Sequence, residues 1–137
     1  MDRETEIINM TVGIKWNPKG VSREQGFDCW SFFKWFHLVF KGVTIDEGDG
    51  LCAGQTSKIV KAFSRAIGSG DRWVQIKEPT PFCAVALSTN NKIHHVGVWA
   101  KNGCLHAVDN LGVVYSDMAH LKRSGYSKVE FYECRTL

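Results

Sequence analysis

GFDCWSFFKWF, residues 26–36, sets a glycine, an acid and a thiol at the head of an almost unbroken aromatic run. Followed to Gly42, the stretch from Asp28 carries apolar residues around most of a helical surface. It reads as a buried helix that stops at the glycine. Asp28 suits the N-cap, where its carboxylate accepts from an unpaired N–H of the first turn. Cys29 then takes the first helical position, where unpaired N–H groups and the positive end of the helix dipole favour an anion. A thiol attacks a carbonyl as the thiolate, and an ordinary pKa of about 8.5 leaves only a few per cent ionised at neutral pH. Most cysteines are simply small buried hydrophobes. A nucleophile held at the tip of an anchored helix is the sharper reading, and it needs a histidine from elsewhere in the chain.

Around this stretch the chain reads as one domain, residues 1–137, with no internal repeat and no linker. Residues 11–25, TVGIKWNPKGVSREQ, form an irregular approach loop. Residues 42–55, GVTIDEGDGLCAGQ, are a glycine-rich connection. Residues 56–70, TSKIVKAFSRAIGSG, place apolar side chains at 59, 60, 63, 66 and 67, an amphipathic helix stopped by Gly68. The texture then changes. PFCAVALS (81–88), KIHHVGVWA (92–100), CLHAVD (104–109), GVVYS (112–116) and SKVEFYEC (127–134) are short, β-branched and aromatic, with turn residues between them. Asp117–Leu121 is one helical turn. Helices followed by antiparallel strands give the α+β class.

Composition narrows the function. Seventeen basic and 14 acidic residues leave a net charge of +3, too small and too scattered for a nucleic-acid or anionic-membrane surface. The charged start lacks the apolar stretch of a signal peptide, and no apolar run approaches the roughly 20 residues of a membrane span. The expectation is a soluble chain made in the cytoplasm. Five cysteines without a C-x-x-C pair are expected to be free thiols. Cys104-x-His106, with His94 and His95 nearby, raises zinc, but no second ligand pair accompanies it. No metal is expected.

The histidine that Cys29 requires lies in residues 92–100. Strict alternation sends His94 and His95 to opposite faces of the strand, so one of them can meet a helix packed on the sheet. Lys101-Asn102-Gly103 is a hairpin signal, with Asn102-Gly103 as its candidate two-residue turn. A two-residue turn there pairs residues whose numbers sum to 205, placing His106 opposite Trp99 and His95 opposite Asn110. His106 and Asn110 share a face, and either side chain can orient an imidazole.

GFDCWSFFKWF and HHVGVWAKNGCLHA (94–107) together resemble the NlpC/P60 family of cysteine peptidases. That family's pattern is roughly G-x-D-C-(S/W)-G-L, followed later by H-V-G-I-Y and I-H-A. The likeness is nearest to short bacteriophage members, which favour D-C-W and are encoded as single-domain tail proteins. GIKWNPKG (13–20) resembles the loop before their nucleophile. The resemblance implies a papain-like core, N-terminal helices packed on an antiparallel sheet, with Cys29 as nucleophile and His95 as base. His106 matches the third polar residue, with Asn110 left as the hairpin's alternative. The backbone N–H of Cys29 is implied at the oxyanion, with Trp16, Asp28 and Trp30 in the oxyanion and substrate loop. The implied substrate is the peptide stem of peptidoglycan, commonly at a D-glutamate–diamino acid bond, with no cofactor. The implied setting is a phage tail tip aiding wall penetration and genome entry. The protein would be carried in the virion tail with other tail-tip or hub proteins as partners. A catalytically silent tail-hub subunit and a Cys–His amidase or acyltransferase are compatible with the same fold. Three residues depart from the pattern: Ser31 stands for Gly, Trp30 for a Ser that helps hold a free amine, and Trp99 for Tyr.

Overall fold

The computed structural model describes residues 2–20, 22–45 and 72–135. The expected amphipathic helix at 56–67 and residues 46–55 of the glycine-rich connection lie outside these residues. Among the described residues, two helices precede the sheet. The first, α1 (Arg3–Thr11), is absent from the sequence reading because its polar and charged residues hide the helical pattern. It is fixed by capping and docking: Asp2 accepts from Thr5 N at 2.8 Å, Ile7 is buried, and Arg3 donates to Phe40 O at 3.0 Å.

The opening aromatic stretch forms α2 (Cys29–Lys41), with Asp28 as N-cap and Gly42 as a left-handed C-cap, as the sequence led us to expect. Ser31 explains itself here. Its N–H donates to Asp28 Oδ1 at 2.8 Å, and its hydroxyl accepts from Asp28 N at 3.0 Å, closing a capping box. Phe32, Phe33 and Phe36 are fully buried. Each contributes roughly 1.5–3 kcal/mol by leaving water, so the helix is held by its core face far more than by propensity. The approach loop is pinned behind it by a bridge between Trp16 and Phe27. Gly26 sits at φ +96°, and a Cβ there would meet Lys15 O at 2.4 Å.

Six strands follow: β1 (Trp73–Ile76), β2 (Ala84–Thr89), β3 (Lys92–Ala100), β4 (Gly103–Val108), β5 (Gly112–Asp117) and β6 (Lys128–Cys134). They form one antiparallel sheet in the order β1-β6-β2-β3-β4-β5. The short helix α3 (Met118–Arg123) lies between β5 and β6, capped by Asp117 Oδ1 on His120 N at 2.8 Å. Strand β1 is too short for its alternation to register in the sequence. One face of the sheet, with Ala84, Val96, Val98, Leu105 and Ala107, packs on α2. The other, with Val85, Leu87, Trp99 and Cys104, packs on Leu121 of α3.

Two expectations about the central hairpin are corrected. The β3–β4 register pairs Val98 with Leu105, Trp99 with Cys104 and Ala100 with Gly103, so facing numbers sum to 203. The two-residue turn is Lys101-Asn102, with Lys101 in the left-handed region at φ +54°, and not Asn102-Gly103. Strict alternation also fails at the histidines. Leu87 pairs with His95 but Ser88 pairs with Ile93, leaving His94 as the extra residue of a bulge. Ile93 and Val96 both join the core beneath α2 although they are three residues apart; between them His94 is exposed and His95 half-buried.

Candidate active site

Cys29 occupies the first position of α2 and is 9% exposed. Burial pushes its thiol up to about 12, and the Asp28 carboxylate adds to the rise. The backbone N–H groups of Val96, Trp30 and Cys29 pull the other way. The helix terminus does favour the anion, as the sequence suggests, but desolvation and an adjacent negative charge outweigh it. The resting site therefore holds a neutral thiol.

The contact with Val96 locates the thiol on the sheet. Strands β3 and β4 pair only from Val98↔Leu105 to their turn, while β4 continues to pair with β5 as far as Val108↔Gly112. Beyond Val98 the β3–β4 ladder ends, and there the Cys29 sulfur reaches the backbone of Val96, the residue next to His95. Across the opening, His95 Nε2 lies 2.9 Å from His106 Nδ1. The far nitrogen of His106 lies 2.9 Å from Ser116 Oγ. Tyr126 stacks on the His95 ring, 5.9 Å between centroids and 8° from parallel.

Burial holds His95 well below its ordinary pKa, helped by the neighbouring His106 and His94. His106 is pushed down to about 4, chiefly by burial, with His120 adding a smaller push. Both rings are neutral near pH 7. With Nε2 of His95 bonded to His106, Nδ1 is the ring nitrogen outside that bond.

Gly97 makes the close approach of these strands possible. A Cβ there would lie 2.5 Å from Cys104 Sγ, 2.7 Å from Leu105 O and 3.1 Å from His106 Cβ. Any larger residue would wedge β3 from β4 beside the paired histidines.

The solved structures include one that shares this arrangement of elements. The crystal structure of the NlpC/p60 domain of the peptidoglycan hydrolase SagA superposes with a TM-score of 0.59 at 14% identity, covering 95% of this chain and 94% of that one. The fold is that of an NlpC/p60 domain. No protein-family model and no curated protein matches the sequence.

The structure thus gathers Cys29, His95 and His106 around the β3–β4 opening. Asn110 is elsewhere: it sits exposed in the β4–β5 turn at φ +65°, and the 203 register removes it from His95. Trp30 is also not a loop residue facing substrate, because it is 1% exposed and stacks on Phe33 at 5.3 Å. Asp28, also 1% exposed, spends Oδ1 on the helix cap, while its buried Oδ2 has no partner among the described residues. Trp16 is half-buried and packs against the core from the approach loop. Ser116 and Tyr126 were not anticipated. Ser116 was reachable from sequence: once GVVYS is paired with CLHAVD, it falls one diagonal step from His106 on the same face. Tyr126 follows α3 through a turn, and nothing in the local pattern signals its place. Among the described residues no group of three or more His, Cys, Asp or Glu is arranged to hold a metal ion, and no helix is long and apolar enough to cross a membrane.

Proposed function

We propose that this chain is a cysteine peptidase that hydrolyses the peptide stems of peptidoglycan, with Cys29 as nucleophile, His95 as base and His106 as the residue that orients it. The observation that carries this reading is the 2.9 Å bond from His95 Nε2 to His106 Nδ1, made where the backbone beside His95 meets the Cys29 sulfur. The shared fold with a domain of a peptidoglycan hydrolase supports the substrate class.

The chemistry follows from the neutral resting pair. As sulfur attacks the carbonyl carbon, the thiol proton passes to His95 Nδ1, so neither charge exists before the bond forms. The carbonyl π electrons move to oxygen, to which the backbone N–H of Cys29 at the helix terminus donates. Collapse expels the amine, which takes the proton from the imidazolium and leaves a thioester. Water, deprotonated by the same nitrogen, then attacks the thioester and releases the acid and the thiol.

Digestion of purified peptidoglycan, with products identified by mass, tests the reading. Cleaved stem peptides are expected from the intact protein and not from Cys29→Ala or His95→Ala. Equal digestion by Cys29→Ala would remove the nucleophile from this account. One observation favours a second reading, a chain that keeps the fold for assembly without chemistry: the thiol is deeply buried and protonated. That reading expects no cleavage from any of the three proteins. Delivery inside a phage tail tip belongs to the proposal through the D-C-W resemblance, and detecting the chain in purified virions is its test.

A further inference from the structure

The bond between His95 and His106 does not by itself say which ring donates. Two neutral imidazoles joined Nε2 to Nδ1 share one proton, and the choice decides whether His95 is a base. If His106 donates from Nδ1, His95 accepts at Nε2 and carries its own proton on Nδ1, which can then take nothing from a thiol. If His95 donates from Nε2, its Nδ1 is bare. In that case His106 accepts at Nδ1 and must carry its proton on Nε2, the nitrogen 2.9 Å from Ser116 Oγ.

We infer that Ser116 is a positioning residue for the proposed reaction, accepting the Nε2–H of His106 and so holding His95 with Nδ1 free. The inference rests on the peptidase reading for its kinetic consequence, though not for its geometry. Ser116 is 4% exposed and His106 also 4%, so water does not readily replace the hydroxyl. Its place is built into the fold. Ser116 pairs with Cys104 across β4–β5, which puts it diagonally beside His106, and the next residue, Asp117, caps α3. Burial keeps His106 neutral, so the ring has a single N–H and the direction of the relay is all-or-none.

Removing the hydroxyl acts through the tautomer. A buried Nε2–H of His106 left without an acceptor is costly, and orphaned buried N–H groups are rarer in folded proteins than under-satisfied acceptors. His106 then shifts its proton to Nδ1, where it points at His95, and His95 must protonate Nδ1 to receive it. The base is blocked although every ring stays in place.

The test is Ser116→Ala beside Ser116→Thr, which retains a hydroxyl, each confirmed folded by circular dichroism. Ring-nitrogen NMR of the histidines in the intact protein is expected to show Nε2–H tautomers for both His95 and His106. In Ser116→Ala an Nδ1–H population should appear at both. Turnover of peptidoglycan fragments should fall roughly 10- to 100-fold in Ser116→Ala with KM unchanged, and Ser116→Thr should recover most of it. An Nδ1–H tautomer at His106 in the unmodified protein overturns the inference. So does a Ser116→Ala protein with unchanged tautomers and turnover. If the intact protein cleaves nothing yet the tautomers shift as stated, the positioning role stands and the peptidase reading falls.

Discussion

Alkylation of Cys29 distinguishes a neutral thiol from a preformed ion pair. Burial and the Asp28 charge hold this thiol at about 12. At pH 8 such a group is roughly 10⁻⁴ ionised, whereas an ordinary cysteine near 8.5 is about one quarter ionised. The gap is roughly three orders of magnitude in thiolate. Restricted access at 9% exposure also slows reagents, but access scales the rate equally at every pH. Ionisation sets the shape of the profile. Rates of iodoacetamide modification at Cys29, followed by peptide mass between pH 6 and 10, should rise about tenfold per pH unit without levelling. A synthetic peptide spanning residues 26–36 should level off near 8.5. His95→Ala should leave the slope at Cys29 unchanged, because a neutral imidazole lends the thiolate no charge. A plateau beginning below pH 8, abolished in His95→Ala, would show instead a thiolate–imidazolium pair at rest.

Three further outcomes follow from the same geometry. His37 is held down to about 3 and His106 to about 4, both chiefly by burial, and His95 lies well below 6.5 for the same first reason. Each folded pKa is depressed, so the stability it confers is present above about 6.5 and is lost as pH falls; near pH 5 His37 and His106 together give a slope approaching roughly 3 kcal/mol per unit, and His95 adds in the same direction. Urea unfolding at pH 7, 6 and 5 should show this fall, His37→Leu should remove about a third of it, and a flat profile would contradict the burial argument. Gly97→Ala drives a methyl into Cys104 Sγ and Leu105 O, so it should cost roughly 2–3 kcal/mol and lower Tm by roughly 6–12 °C. An unchanged melt would mean that β3 and β4 have room to spare. Ser31→Gly opens the capping box and should cost about 1–2 kcal/mol, measured by chemical denaturation; no loss would deny the hydroxyl its role at the cap.

What the sequence made legible was whatever depends on neighbours along the chain. Asp28, Cys29 and Gly42 declare the two ends of α2, and the strands carrying His95, His106 and Ser116 are marked by β-branched and aromatic runs between turns. Contacts set across the fold were harder to read. The hairpin turn slid by one residue because Lys101 accepts a left-handed conformation that favours glycine or asparagine. The bulge at His94 exists only in the pairing with β2, so alternation counted along one strand had no access to it. The protonation of Cys29 was out of reach for the same reason: the helix terminus is a local property, whereas the burial that outweighs it is a product of tertiary packing.

The order of strands also bears on how the chain is made. Strand β6 is the last of the described strands in sequence, yet it lies between β1 and β2. Until residues 128–134 leave the ribosome, β2 has an open edge, with Val85 and Leu87 awaiting cover on one face. Open edges invite pairing with other chains. By contrast β2, β3, β4 and β5 are consecutive hairpins, and they carry both paired histidines and Ser116. The half of the sheet that holds the candidate chemistry can therefore assemble from local contacts during synthesis. The other half is completed when a single strand enters between two that were waiting for it. Aggregation during expression is accordingly a matter of how long β2 stays uncovered, a hazard of timing separate from the stability of the finished fold.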